Sequence, residues 1–132
     1  MRFLLDTDTC IYAMKEERAI LHRLISHPPS SVGVSVITEA ELRTGASKSS
    51  IPARTSLRLE RFLAPLALVD FNSADAAAYA EVRARLERTG KPIGPLDTLI
   101  AAQAISRKLT LVSNNVSEFR RVPGLSLENW RK

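Results

Sequence analysis

A chain of 132 residues suits one compact domain, residues 1–132, and its 45% hydrophobic content is enough for one core. A net charge of +5 with no Lys/Arg block excludes a basic tail and leaves polyanion binding to a surface assembled by folding. One cysteine, Cys10, excludes an internal disulfide or a Cys/His zinc site, and Phe3-Leu4-Leu5 is too short for a signal peptide or membrane span, so a soluble cytoplasmic protein with no membrane partner is expected.

Phe3–Leu5 followed by Asp6-Thr7-Asp8-Thr9 predicts a buried strand ending in polar residues, with Thr7 or Thr9 as a helix cap. Ile11, Met14, Leu21, Leu24 and Ile25 keep helical spacing, with a break near Lys15–Arg18. His27-Pro28-Pro29-Ser30-Ser31 is a loop, and the alternating Val32, Val34 and Val36 give a second strand. Helices are expected from Thr38 to Ala46 and from Arg54 to Leu63. Ala67–Phe71 is a third strand. Asn72 or Ser73 then caps an Ala-rich helix that runs to Leu86 and stops near Gly90. Pro95 opens the next helix, Leu96–Ser106. Leu109–Val112 is a fourth strand, and Leu125–Leu127 a fifth at the sheet edge. Alternating strands and helices predict an α/β domain with a mainly parallel sheet of four to five strands. In such sheets the working end lies beyond the carboxyl ends of the strands, where Asp6, Asp8, Asn114 and Asn115 fall.

Three carboxylates stand in unusual settings. Asp6 ends an apolar strand, Glu41 lies in Glu39-Ala40-Glu41-Leu42-Arg43, and Asp97 opens a very apolar helix. A parallel sheet lets all three converge at one end. Converging carboxylates repel and raise each other's pKa, so such a cluster needs compensation. A divalent cation with oxygen preference, Mg²⁺ or Mn²⁺, is the usual compensation, and it would polarise a phosphoryl oxygen and deliver hydroxide for in-line attack. Other readings stay open on spacing alone. Asp6 suits a turn or a helix cap. Asp97 near a helix N-terminus is favoured by the dipole, at roughly 0.3–1 kcal/mol. Glu41, three residues after Thr38, fits a capping box. Asp70, Asp75, Glu81, Glu87 and Glu128 read as surface or capping residues, and Trp130 as a packing residue.

Leu4-Leu5-Asp6-Thr7-Asp8-Thr9-Cys10-Ile11-Tyr12 resembles the opening of PIN-domain toxins of the VapC family. Glu39-Ala40-Glu41-Leu42-Arg43-Thr44-Gly45 is similar to that family's second acidic motif, and Ile93-Gly94-Pro95-Leu96-Asp97-Thr98-Leu99-Ile100-Ala101-Ala102 to its third. Leu111-Val112-Ser113-Asn114-Asn115-Val116-Ser117-Glu118-Phe119 resembles its fourth, and Val122-Pro123-Gly124-Leu125 to Glu128-Asn129-Trp130 its ending. The likeness runs along the whole chain, in order.

The resemblance implies a PIN-like three-layer α/β/α domain and a Mg²⁺- or Mn²⁺-dependent endoribonuclease. It also implies a toxin role in a bacterial type II toxin–antitoxin pair. A VapB-like antitoxin would lie in the active-site groove, with a homodimer and a higher assembly with antitoxin. It carries over Asp6, Glu41 and Asp97 as the acidic triad, with Asp6 and Asp97 as metal ligands and Glu41 completing the site directly or through a water. Ser113 resembles the hydroxyl that holds the attacking water. Asn115 stands where many relatives carry a fourth acid, which puts a second metal in doubt; Glu118 can replace that acid through a water. The wording is similar to the subgroup that cuts initiator tRNA in the anticodon stem-loop. Arg43, Arg54, Arg58, Arg61, Arg120 and Arg121 are candidates for RNA backbone contact. Three alternatives remain: a PIN nuclease of RNA processing outside toxin–antitoxin systems, a non-catalytic basic module that binds nucleic acid or protein, and a phospho-acceptor signalling domain. The last could use Asp70 but lacks a lysine beside Asn114-Asn115.

Overall fold

Five short strands organise the chain in the computed structural model, which describes residues 1–132. They are β1 (Phe3–Leu5), β2 (Val32–Ser35), β3 (Ala67–Val69), β4 (Thr110–Val112) and β5 (Leu127–Glu128), all parallel, in the order β3-β2-β1-β4-β5. Seven helices connect or follow them: α1 (Thr7–Met14), α2 (Arg18–Ile25), α3 (Val36–Ser47), α4 (Pro52–Leu63), α5 (Ser73–Arg88), α6 (Pro95–Ser106) and α7 (Val116–Phe119).

Side chains alternate across the pleat, so each strand feeds two cores. Phe3, Leu5, Val32, Val34 and Val112 face α1 to α4 and pack with Cys10, Ala13, Ile20, Leu42, Leu59 and Leu63. Leu4, Val69 and Leu111 face the other way and pack with Val82, Leu86, Ile100, Ala101 and Phe119 of α5 to α7. The three-layer α/β/α architecture expected from the sequence is therefore present. No helix is long and apolar enough to cross a membrane. Trp130 packs as expected, edge-on to Phe3 at 5.1 Å and stacked on His27 at 5.5 Å between centroids.

The strand order fixes where a site can form. The chain lays β2 and β3 to one side of β1, then β4 and β5 to the other. Connections leaving β1 and β4 therefore diverge, and a crevice opens at their carboxyl ends. Asp6 follows β1 directly, and Ser113 follows β4.

Several local expectations change. Neither Thr7 nor Thr9 caps α1; Asp6 does, accepting from the Thr9 backbone N–H at 2.8 Å. Strand β2 stops at Ser35, and Val36 is already the first residue of α3, because the Ser35 hydroxyl accepts from Ile37 N–H and caps that helix. Thr38 and Glu41 thus lie inside α3 and form no capping box. The capping box is at α5, where Asn72 and Asp75 exchange bonds of 2.9 and 3.0 Å. The fifth strand is Leu127–Glu128 rather than Leu125–Leu127. Cys10 is wholly enclosed on α1, and burial, then the Asp6 charge, pushes its thiol well above the ordinary range.

Candidate active site

Asp6 sits where β1 becomes α1, only 4% exposed. Its backbone N–H donates to Val112 O at 3.0 Å, and the Thr9 hydroxyl donates to the same carbonyl at 3.1 Å. The start of α1 is thereby tied to the end of β4. Burial raises the Asp6 carboxyl above its usual value, opposed by hydrogen bonds from the Ser113 hydroxyl and from Thr9. Asp6 is both a helix cap and a member of the acidic crevice.

Asp97 is the third residue of α6 and is partly buried. Its pKa is pushed up to about 6, first by burial, then by the charges of Asp6, Glu118, Glu41 and Asp8. Asp97 thus feels both other triad carboxylates across the crevice. None of Asp6, Asp8, Glu41, Asp97 or Glu118 takes part in a salt bridge. No three His, Cys, Asp or Glu side chains stand close enough together to hold a metal ion between them. The acids meet through their fields, with space left between them.

Glu41 comes from mid-α3 and is half-buried. The Thr7 hydroxyl donates to its Oε1 at 2.7 Å, and Thr7 Oγ1 lies 3.3 Å from the buried Thr38 hydroxyl. Sequence reasoning read both threonines as caps and missed this bridge between α1 and α3. The signal was a threonine directly after the strand-ending aspartate, but its partner lies 34 residues away.

Ser113 is fully buried. Its Oγ accepts from Asn115 N–H at 2.9 Å and its hydroxyl serves the Asp6 carboxylate, which leaves one lone pair of the oxygen unused. Asn115 Nδ2 donates to Glu118 Oε2 at 2.8 Å and turns that acid into part of the crevice. Asn114 and Asp8 are exposed at its rim.

Two charged residues have partners that the sequence did not suggest. Asp75, read as a surface or capping residue, is a cap but is completely buried and paired with Arg107 at 3.1 Å. Arg43 is bound to Glu39 at 2.7 Å and also to Glu60, and it stays exposed. Arg58 donates to Met14 O and Arg121 to Pro92 O; both remain exposed.

Known proteins share this fold. Residues 3–125 match the PIN domain family. The tRNA(fMet)-specific endonuclease VapC of Salmonella typhimurium is 38% identical over 98% of both chains. Ribonuclease VapC2 of Rickettsia felis is 38% identical over the full length of both. Among solved structures, VapBC from Salmonella typhimurium bound to DNA aligns with a TM-score of 0.95 at 40% identity, covering 98% of each chain. VapBC2 from Rickettsia felis, bound to a promoter DNA fragment, aligns with a TM-score of 0.94 at 38% identity, covering 98% of this chain and 99% of that one. With the same fold, a full-length match and acids gathered at the β1/β4 crevice, the chain belongs to the PIN-domain family and, within it, to the VapC ribonucleases.

Proposed function

We propose that this chain is the endoribonuclease toxin of a type II toxin–antitoxin pair, that it depends on Mg²⁺ or Mn²⁺, and that its substrate is tRNA. One observation carries the reading: five acids share a crevice with no ion pair among them, and Asp97 is pushed up to about 6. A cluster of acids this poorly compensated within the chain calls for a cation.

The donor set fits a hard ion. Carboxylate oxygens suit Mg²⁺, which keeps several waters and takes one or two protein carboxylates plus substrate phosphate. When bound, such an ion supplies Lewis-acid charge to the scissile phosphate and makes water a nucleophile near neutral pH.

The chain's own residues have separable tasks. Asp6, held by Thr9 and Ser113, and Asp97 would ligate the ion directly. Glu41, aimed by Thr7, would complete the site directly or through a water. Asn115 holds the Glu118 carboxylate, which takes the part of a fourth acid. The net charge of +5, with Arg54, Arg58, Arg61, Arg120 and Arg121 exposed, supports attraction of the RNA backbone.

The relatives' names favour tRNA, and initiator tRNA among tRNAs, since two of the matching VapC proteins are called tRNA(fMet)-specific. Solved neighbours that pair a VapC with VapB favour a VapB-like antitoxin as partner over a free-standing RNA-processing nuclease. A homodimer, enlarged by the antitoxin, completes the proposal, and sedimentation of the chain alone and with its antitoxin tests it.

The central test is cleavage of total cellular RNA with Mg²⁺ and with chelator, mapping the new ends. The expected result is cuts only with metal, leaving 5′-phosphates and concentrated in tRNA. Cuts that persist in chelator and leave 2′,3′-cyclic phosphates would overturn the metal mechanism. Cuts spread over messenger RNA would overturn the substrate.

A further inference from the structure

We propose that Gln103 is a positioning residue for Asp97: it fixes the register of α6, and through it the place of an acid six residues away. The inference rests on the ribonuclease reading above, and its test is separable from it.

Helix α6 lacks the usual device for setting its own rotation. An amphipathic helix is oriented by one apolar stripe. In α6, residues Ile100, Ala101, Ala102, Gln103 and Ala104 are buried consecutively, which carries burial right round the axis. The helix is packed against α5, α3 and β4, and three of those five residues are alanines of equal size. Burial therefore holds α6 in place without distinguishing one rotation from the next. A shift by one residue turns a helix by about 100° and slides it by about 1.5 Å. Either movement would take Asp97 out of the crevice.

Gln103 supplies what the alanines cannot. It is 0% exposed, and its Nε2 donates to both Val69 O at 3.2 Å and Asp70 O at 2.9 Å, the carbonyls where β3 ends. Arg107, one turn on, donates to the same Asp70 carbonyl at 2.6 Å. A side chain of α6 and that of its C-cap residue thus grip one fixed point of the sheet. Gln103 Oε1 meanwhile has no hydrogen-bond partner. A buried amide with an orphaned oxygen is costly for stability alone, since an apolar side chain of the same shape leaves no such atom. What the amide contributes is a direction, as a single buried polar residue does when it sets the register of packed helices.

The test is Gln103→Met, which keeps length and volume and removes both donors. The expected result is a kcat for RNA cleavage at least about 10-fold lower, as for a small misplacement of a reacting group, with KM within about twofold of wild type. Amide resonances of α6 should broaden or double, and this readout needs no activity. Arg107→Lys keeps a cation beside Asp75 but loses the planar fork. It should lower kcat by about threefold at constant KM, and it serves where Gln103→Met does not unfold cooperatively. Wild-type kcat in the folded variants, with one sharp set of α6 resonances, would overturn the proposal. An inactive wild type would instead strike at the ribonuclease reading, and the resonances would still decide the role of Gln103.

Discussion

Asp75 and Asp97 are both carboxylates withdrawn from water on neighbouring helices, and their surroundings treat them in opposite ways. Burial works against the charge of Asp75, but the Asn72 backbone N–H, the Ser106 hydroxyl and Arg107 outweigh it and hold the carboxyl below its usual value. Asp97 meets burial and four other acids, and its pKa rises to about 6. The first is a structural joint: its charge is answered within the chain, even though Asp75 Oδ1 and Arg107 Nε have no hydrogen-bond partner. The second is unfinished, because no cationic side chain pairs with it and only the N-terminus of α6 favours its charge. A folded protein tolerates such a deficit at sites where something else arrives to meet it.

The sharpest way to break the contrast is to neutralise the crevice. Asp6→Asn or Asp97→Asn should lower metal-dependent RNA cleavage by more than about 100-fold, beyond what loss of a residue that merely supports a ligand costs. Wild-type rates in both variants would place the chemistry elsewhere. The converse is to uncover the joint. Arg107→Met should destabilise the fold at pH 7 by about 2–3 kcal/mol in urea titration, discounted from a fully buried pair because the Arg107 side chain is 30% exposed. The two acids then differ in sign with pH. Asp75, with a lowered pKa, contributes stability above the ordinary aspartate range that is lost as pH falls through its folded value. Asp97, with a raised pKa, contributes stability below about 3.8 that is lost as pH rises through about 6. Asp97→Asn should therefore raise the Tm of metal-free protein at pH 7, by roughly 4 °C for each 1 kcal/mol relieved. It should leave Tm unchanged near pH 3.5. Mg²⁺ should close that gap from the wild-type side. The smallest effect is expected from Asn115→Asp, which replaces the donor to Glu118 by a like charge and should cost about 1 kcal/mol without metal. If Mg²⁺ more than recovers that loss, a fourth acid at position 115 assists the ion.

The contrast was only half legible in the sequence. The crevice could be read because a strand-ending aspartate, Asp6, follows an unbroken apolar run, and because parallel sheets place strand ends together. The asparagines after Val112 fell there for the same reason. Thr38-x-x-Glu41 misled because the capping-box spacing also occurs by chance inside a helix, while Ser35, the true cap, looked like part of an alternating strand. Asn72-x-x-Asp75 carried the same signature and was genuine. Its burial could not be read, because Arg107 lies 32 residues further on and pairing across that distance leaves no local pattern. Gln103 was invisible for a related reason: its partners are backbone carbonyls, which every residue has.

The enclosure of Cys10 has a practical consequence. Its backbone N–H donates to Asp6 O, so the thiol lies one turn along the helix whose first bond is made by the acidic crevice. A thiol reagent can reach it only while α1 lifts from the sheet. The labelling rate of this lone sulfur then times the breathing of the active centre, and a cation or a docked partner should slow that clock without touching the sulfur itself.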